Sequence, residues 1–263
     1  MIKKTSNFFM AVLAAMPIFL NSCGNDKWPC VNGKGPIVTE MRTETGFTAV
    51  NSEIEATLYI TQGPEFEIRV LAQQNILDNI ETDISGGELQ IKGDHCINNS
   101  EPVLIYITMP VVSALSISGS GAIYTQNKIT SPYISFDISG SGEVTTIDSV
   151  ITGSLDVNIS GSGNMDFMGS ATAVDAAISG SGDISMTGFG TNLDVDISGS
   201  GEMHGYNFPV SIADINISGS GSMETNVMVE LDVDISGSGD VYYKGTPVVS
   251  AKMSGSGTLI HVD

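Results

Sequence analysis

Leu193-Asp194-Val195-Asp196-Ile197-Ser198-Gly199-Ser200-Gly201-Glu202-Met203 sets the pattern for most of this chain. Leu193, Val195 and Ile197 stand two apart with acids between them, the spacing of a strand with one face inside and one in water. Ser-Gly-Ser-Gly follows, then an acid, then an apolar residue that opens a second short strand. The same order recurs around Leu155-Asp156-Val157-Asn158-Ile159 and Leu231-Asp232-Val233-Asp234-Ile235. Eight copies of Ser-Gly-Ser-Gly begin at Ser118, Ser139, Ser160, Ser179, Ser198, Ser218, Ser236 and Ser254, spaced by 18 to 21 residues.

At about 3.3 Å per strand residue, such a period traces a closed path of roughly 60–70 Å, one turn of a parallel β-helix. A single turn cannot bury its own apolar edge. Stacked at about 4.8 Å, the turns align Ile117, Ile138, Ile159, Ile178, Ile197, Ile217, Ile235 and Met253 into one internal ladder. The general rule for parallel crossovers makes right-handed the expected hand. Glycine suits the corner because positive φ and close backbone approach both exclude a Cβ. A sandwich would need turns every 8–12 residues, a propeller about twice this period, and a calcium-binding nonapeptide array about half of it.

The 263 residues are 41% apolar, enough for a core, and only 15% charged. Acids outnumber Lys and Arg by 30 to 10, a formal charge of −20, which disfavours duplex DNA and anionic lipid as partners. After the first 20 residues no apolar run is long enough to span a bilayer.

Residues 1–22 read as a targeting segment: Lys3 and Lys4 open it, Phe8 to Leu20 is apolar, and it closes on Leu20-Asn21-Ser22-Cys23. This closing run resembles a bacterial lipobox, which implies that Cys23 carries lipid and becomes the first residue of the mature chain. Residues 23–45, rich in Asn, Asp, Pro, Gly and Lys, read as a flexible tether, with a single β-helical domain over 46–263. Within that domain, 46–112 form irregular first coils or a cap and 113–263 the regular repeats. Strand patterns fall at Thr57–Thr61, Phe66–Ala72, Ile80–Ile84, Leu89–Lys92 and Leu104–Met109, and a helical turn at Asn75–Asn79. Ile84-Ser85-Gly86-Gly87-Glu88 reads as a worn copy of the corner. An oxidising envelope allows a Cys30–Cys96 disulfide, two free thiols being the alternative. No Cys-x-x-Cys is present and His95, His204 and His261 lie far apart, so no metal site is defined.

The polar positions between ladder residues form two columns. Asp156, Asp175, Asp194, Asp214 and Asp232 make one; Asp137, Asn158, Asp196, Asn216 and Asp234 make the other. Carboxylates one coil apart repel, so they need water, Asn dilution or a bound cation, with calcium the natural candidate. Acidic pairs could also suggest polysaccharide cleavage, but the cationic residues an anionic substrate would want are scarce here. Tyr206, Phe208, Tyr242 and Tyr243 read first as packing or end residues. Eight equivalent Ser-Gly-Ser-Gly corners without a placed His argue for geometry over nucleophilic catalysis, and no catalytic residue is assigned.

Gly46-Phe47, the segment Gly86-Gly87-Glu88-Leu89-Gln90-Ile91, the lead-in Ile107-Thr108-Met109-Pro110 and the recurrent Ile-Ser-Gly-Ser-Gly together resemble the head GIN domain family, described as auto-transporter adhesins. The resemblance implies a β-helical domain of the cell envelope and a role in adhesion, and brings no catalytic residues. The expectation is therefore a non-enzymatic lipoprotein of the outer membrane whose Asp- and Ser-rich flank binds a glycan or a surface protein. A polysaccharide-processing enzyme and a purely structural envelope protein are the alternatives. The last coil, Met253–Val262, lacks a polar cap, which invites association of copies.

Overall fold

A computed structural model describes residues 30–98 and 101–263 as an all-β parallel solenoid of about eight turns. The expected signal segment 1–22 and the lipid-bearing Cys23 lie outside the described residues. Strands that run into the corners form an inbound sheet and those that leave them an outbound sheet. In the inbound sheet Ile129–Gly140, Val150–Gly161, Asn164–Gly180, Asp183–Gly199, Val210–Gly219, Ser222–Gly237 and Val248–Gly255 pair in succession, all parallel. Ile138, Ile159, Ile178, Ile197, Ile217, Ile235 and Met253 fall in one register column. All but Met253 are buried, each worth about 1.5–3 kcal/mol relative to exposure.

The corners explain why the repeat tolerates so little variation. Gly140 has φ of 132°, and a Cβ built there would lie 2.6 Å from the carbonyl oxygen of Gly119 on the coil behind. A Cβ on Gly142 would lie 2.7 Å from Cγ2 of Ile117. The serine between them uses its backbone: Ser141 N–H donates to Gly119 O at 2.9 Å, and Ser162 and Ser181 repeat the bond to Gly140 and Gly161 at 2.8 Å. Each corner is thus bonded to the one before it and pressed against it.

The first third of the domain departs from simple winding. Ala49–Ser52 and Thr57–Gln62 stack directly on the first regular coil, Ala114–Gly119 with Ala122–Thr125. Glu88–Gly93 and Leu104–Met109, later in sequence, lie on the outer side of that earlier coil. The chain therefore steps outward by one coil and returns over it. Gln62 helps hold the return, its side-chain amide donating to Pro110 O at 3.1 Å while its backbone exchanges two 2.9 Å bonds with the amide of Asn127.

Two expectations are corrected here. Ile84-Ser85-Gly86-Gly87-Glu88 is not a corner: Ile80–Ser85 and Glu88–Gly93 are antiparallel, joined by Gly86 and Gly87 at φ of 63° and 85°. Consecutive positive φ values match a two-residue hairpin turn, whereas a solenoid corner needs a single glycine near 140°. The tether does not extend to residue 45 either. Val31–Asn32 pairs with Ile97–Asn98, Cys30 and Cys96 form a disulfide, and Ile37–Arg42 pairs antiparallel with Glu67–Gln73. Glu67–Gln73 in turn pairs antiparallel with Leu104–Met109. With the helical turn Gln74–Leu77, these strands close the N-terminal end over Phe47, Ile68, Val70, Ile76 and Leu89, all fully buried.

Candidate functional site

The outer face of the inbound sheet carries the polar columns. The sheet's register sets Asp156, Asp175, Asp194, Asp214 and Asp232 on successive coils, and Ser250 continues that column on the last coil. The neighbouring column runs Asp137, Asn158, Ala177, Asp196, Asn216, Asp234, Lys252. Beside them stands a row of exposed corner serines, Ser139, Ser160, Ser179, Ser198, Ser218, Ser236 and Ser254. Period-two alternation buries Leu, Val and Ile and leaves Asp, Asn and Ser outside, so the fold itself generates the surface.

Repulsion along the columns is relieved unevenly. Asn158 donates to Asp156 Oδ1 at 2.8 Å and to Asp137 Oδ1 at 3.2 Å, and Lys252 Nζ meets Asp234 Oδ2 at 2.6 Å. The middle is less well compensated. Partial burial, then Asp156 and Asp196, raise the Asp175 carboxyl above the ordinary range. Burial, then Asp214, Asp175 and Asp196, do the same to Asp194. Two shallow grooves flank these residues. One of about 370 Å³ is lined by Asp175, Asn192, Asp194, Ile212 and Asp214; the other, about 480 Å³, by Asp196, Ser198, Asn216, Ser218, Asp234 and Ser236.

Chemically, the face offers acceptors in rows and nothing that converges. Among the described residues no three His, Cys, Asp or Glu side chains form a metal-holding group. The rows can accept hydrogen bonds from hydroxyls and pair with cations along their whole length.

The outbound sheet holds a feature that sequence reading missed. Tyr106, Tyr59 and Tyr124 occupy one register column and stack with ring centroids 4.9 and 5.8 Å apart, while Arg69 caps Tyr106 at 4.6 Å. The tyrosines come from coils that are out of sequence order, which hides the column from a linear reading. The contacts lie on the ring faces, so this half-exposed stack is a staple between coils and not a bare platform for sugars. Of the later aromatics, Phe208 is buried edge-on to Phe167 at 6.0 Å. Tyr206 lies under Lys244 at 4.8 Å, and Tyr243 packs on His261 at 4.9 Å.

Fold and face together define a β-solenoid with one regular acidic, serine-lined flank. The family model described as "putative auto-transporter adhesin, head GIN domain" matches residues 46–189 and 129–247, and the chain belongs to this family. Solved structures share the fold. A "putative adhesin" from Parabacteroides distasonis is 21% identical with a TM-score of 0.85, covering 89% of this chain and 100% of its own. One from Parabacteroides merdae is 23% identical with a TM-score of 0.85, covering 89% and 99%. A "putative lipid binding protein" from Parabacteroides distasonis is 23% identical with a TM-score of 0.84, covering 89% and 100%. No curated protein matches the chain.

Proposed function

We propose that this chain is a non-enzymatic adhesin of the cell envelope, held at the outer membrane by lipid on Cys23, whose Asp- and Ser-rich flank binds a glycan or a surface protein. The observation that carries the reading is the register of that flank: the same acceptor groups recur coil after coil with no residue singled out for chemistry. Multiplied equivalent groups suit an extended ligand gripped at several points, whereas a catalyst needs one constellation. Membership of an adhesin family supports the same class and an envelope location. The acidic flank favours ligands rich in hydroxyl donors or basic side chains over polyanions.

The test is a glycan and matrix-protein array probed with residues 24–263, with calcium and with chelator, beside the triple variant Asp175→Lys/Asp194→Lys/Asp214→Lys. Specific binding by the parent, lost in the variant, supports the reading. Silence of the parent in both conditions defeats it. The anchor is tested separately: a mature N-terminal peptide bearing acyl mass on Cys23, with Cys23→Ser released to the soluble fraction, supports it, and an unmodified peptide removes it.

A further inference from the structure

The C-terminal end of the solenoid is built differently from everything before it. Val248–Gly255 pairs only with Ser222–Gly237, and Thr258–His261 only with Asp240–Lys244, so both strands offer a free backbone edge among the described residues. The internal ladder runs out there. Val249, Ala251 and Met253 continue the columns of Leu231, Val233 and Ile235, which are at most 1% exposed, yet Val249 is 39% and Met253 50% exposed.

Charge changes at the same place. Between Lys128 and Lys244 the sequence has no lysine or arginine, while acids stand on every coil. Over Gly245–Asp263 the balance returns to zero, with Lys252 against Asp263. Both acidic columns stop one coil short, replaced by Ser250 and Lys252. A lysine on an edge strand ordinarily blocks pairing by projecting past the edge. Lys252 instead bends back onto the coil behind, bonded to Asp234.

We infer that this end is an interface with a second copy of the same chain, the two Val248–Gly255 strands pairing antiparallel about a two-fold axis at Ala251. Among the flank's strands from Ile129–Gly140 onward this is the one without carboxylates, so the neutral ends are where two strongly acidic molecules can approach with least repulsion. Head-to-tail stacking is disfavoured because the outermost N-terminal strands, Ile37–Arg42 and Ile80–Ser85, pair antiparallel with their inner neighbours and carry Glu40, Glu81 and Asp83, which leaves an isologous contact between the neutral ends. With Ala251 on the axis, Val249 lies opposite Met253 of the copy and Ser250 opposite its Lys252. Apolar residues then share the inner side and polar ones the outer, as antiparallel pairing requires.

Sedimentation of residues 24–263, which hold every described coil, tests this alongside Ala251→Asp and Ala251→Cys. The expected results are a dimer for the parent, at least about tenfold weaker association for Ala251→Asp with an unchanged far-ultraviolet spectrum, and a disulfide-linked dimer for Ala251→Cys under mild oxidation. The same-residue cross-link does not depend on the aspartate variant folding. A monomer throughout the soluble range overturns the inference. So does a dimer indifferent to Ala251→Asp and unlinked through position 251, which would place the contact on another face. A monomer whose Val248–Gly255 amides are still protected from hydrogen exchange would give the edge to a segment of its own chain, and also overturns it.

Discussion

At one end of this molecule the outermost coil, Glu88–Gly93 with Leu104–Met109, carries antiparallel strands on its outer side. At the other, Val248–Gly255 and Thr258–His261 carry none among the described residues. The ladder that both ends terminate is the same, yet Ile91 is fully buried and its distant counterpart Met253 is 50% exposed. A stack of identical coils has no intrinsic way to stop; stopping needs residues of a different kind. The N-terminal end obtains them from strands that leave the repeat pattern, and the C-terminal end changes its charge while keeping its backbone edge.

The sharpest way to probe that contrast is to truncate core side chains at each end. Phe47, fully buried and 5.0 Å from Phe66, should cost about 4 kcal/mol as Phe47→Ala. Met253→Ala, at a half-exposed site, should cost less than about 1 kcal/mol in the monomer. Denaturant unfolding reads both, and equal costs would erase the distinction between closed and open ends. Next in size is the Cys30–Cys96 link, which joins residues 66 apart in sequence. Its loss in Cys30→Ser/Cys96→Ser should lower stability by about 3 kcal/mol; a thermal midpoint unmoved by reductant would show that the strands close that end without it.

Hydrogen exchange should grade along the stack, with Val248–Gly255 amides fastest and Val150–Gly161 amides among the slowest. Slowing of the last strand with rising protein concentration would separate a monomer's frayed edge from a dimer's covered one. The smallest expected effect lies on the flank. Because Asp175 and Asp194 hold their protons more tightly in the folded chain, their contribution favours folding at acidic pH and is lost as pH rises through their raised folded values. Because Asp194 is largely exposed, solvent screening keeps the gain from Asp194→Asn at neutral pH under about 0.5 kcal/mol, and the substitution should flatten the fall in melting temperature between mildly acidic and neutral solution. Calcium should raise the melting temperature no more than magnesium at equal ionic strength, since the carboxylates stand in rows without converging; a calcium-specific rise would contradict that geometry.

What could be read from sequence follows the same division. The regular coils are legible because one register column equals one recurring residue type, so Ile159, Ile178 and Ile197 announce their own stacking. The Asp columns are legible for the same reason. At the closed end the code is long-range. Nothing local tells that Glu88–Gly93 lies outside Ala49–Ser52, because either order satisfies the same alternation. Ile37–Arg42 is hidden by an inverted pattern. Ile37 and Met41 face solvent, while Arg42 turns inward to donate to Leu77 O and Ile80 O at 3.2 Å and pairs with Glu40 at 3.1 Å. A strand whose inner face is charged does not look like one until the carbonyls it satisfies are seen.

The corner contact also makes length an adjustable quantity. Each Ser-Gly-Ser-Gly bonds only to the copies beside it, so a deletion that removes one whole repeat, Ser181 through Gly199, joins Gly180 to Ser200 and leaves the remaining columns in register. Such a change shortens the rod by about 4.8 Å and removes one rung of the flank without redesigning anything else. The repeat number is then a ruler: by duplication or loss of one repeat, descendants of this gene could set how far the C-terminal end stands from the N-terminal one.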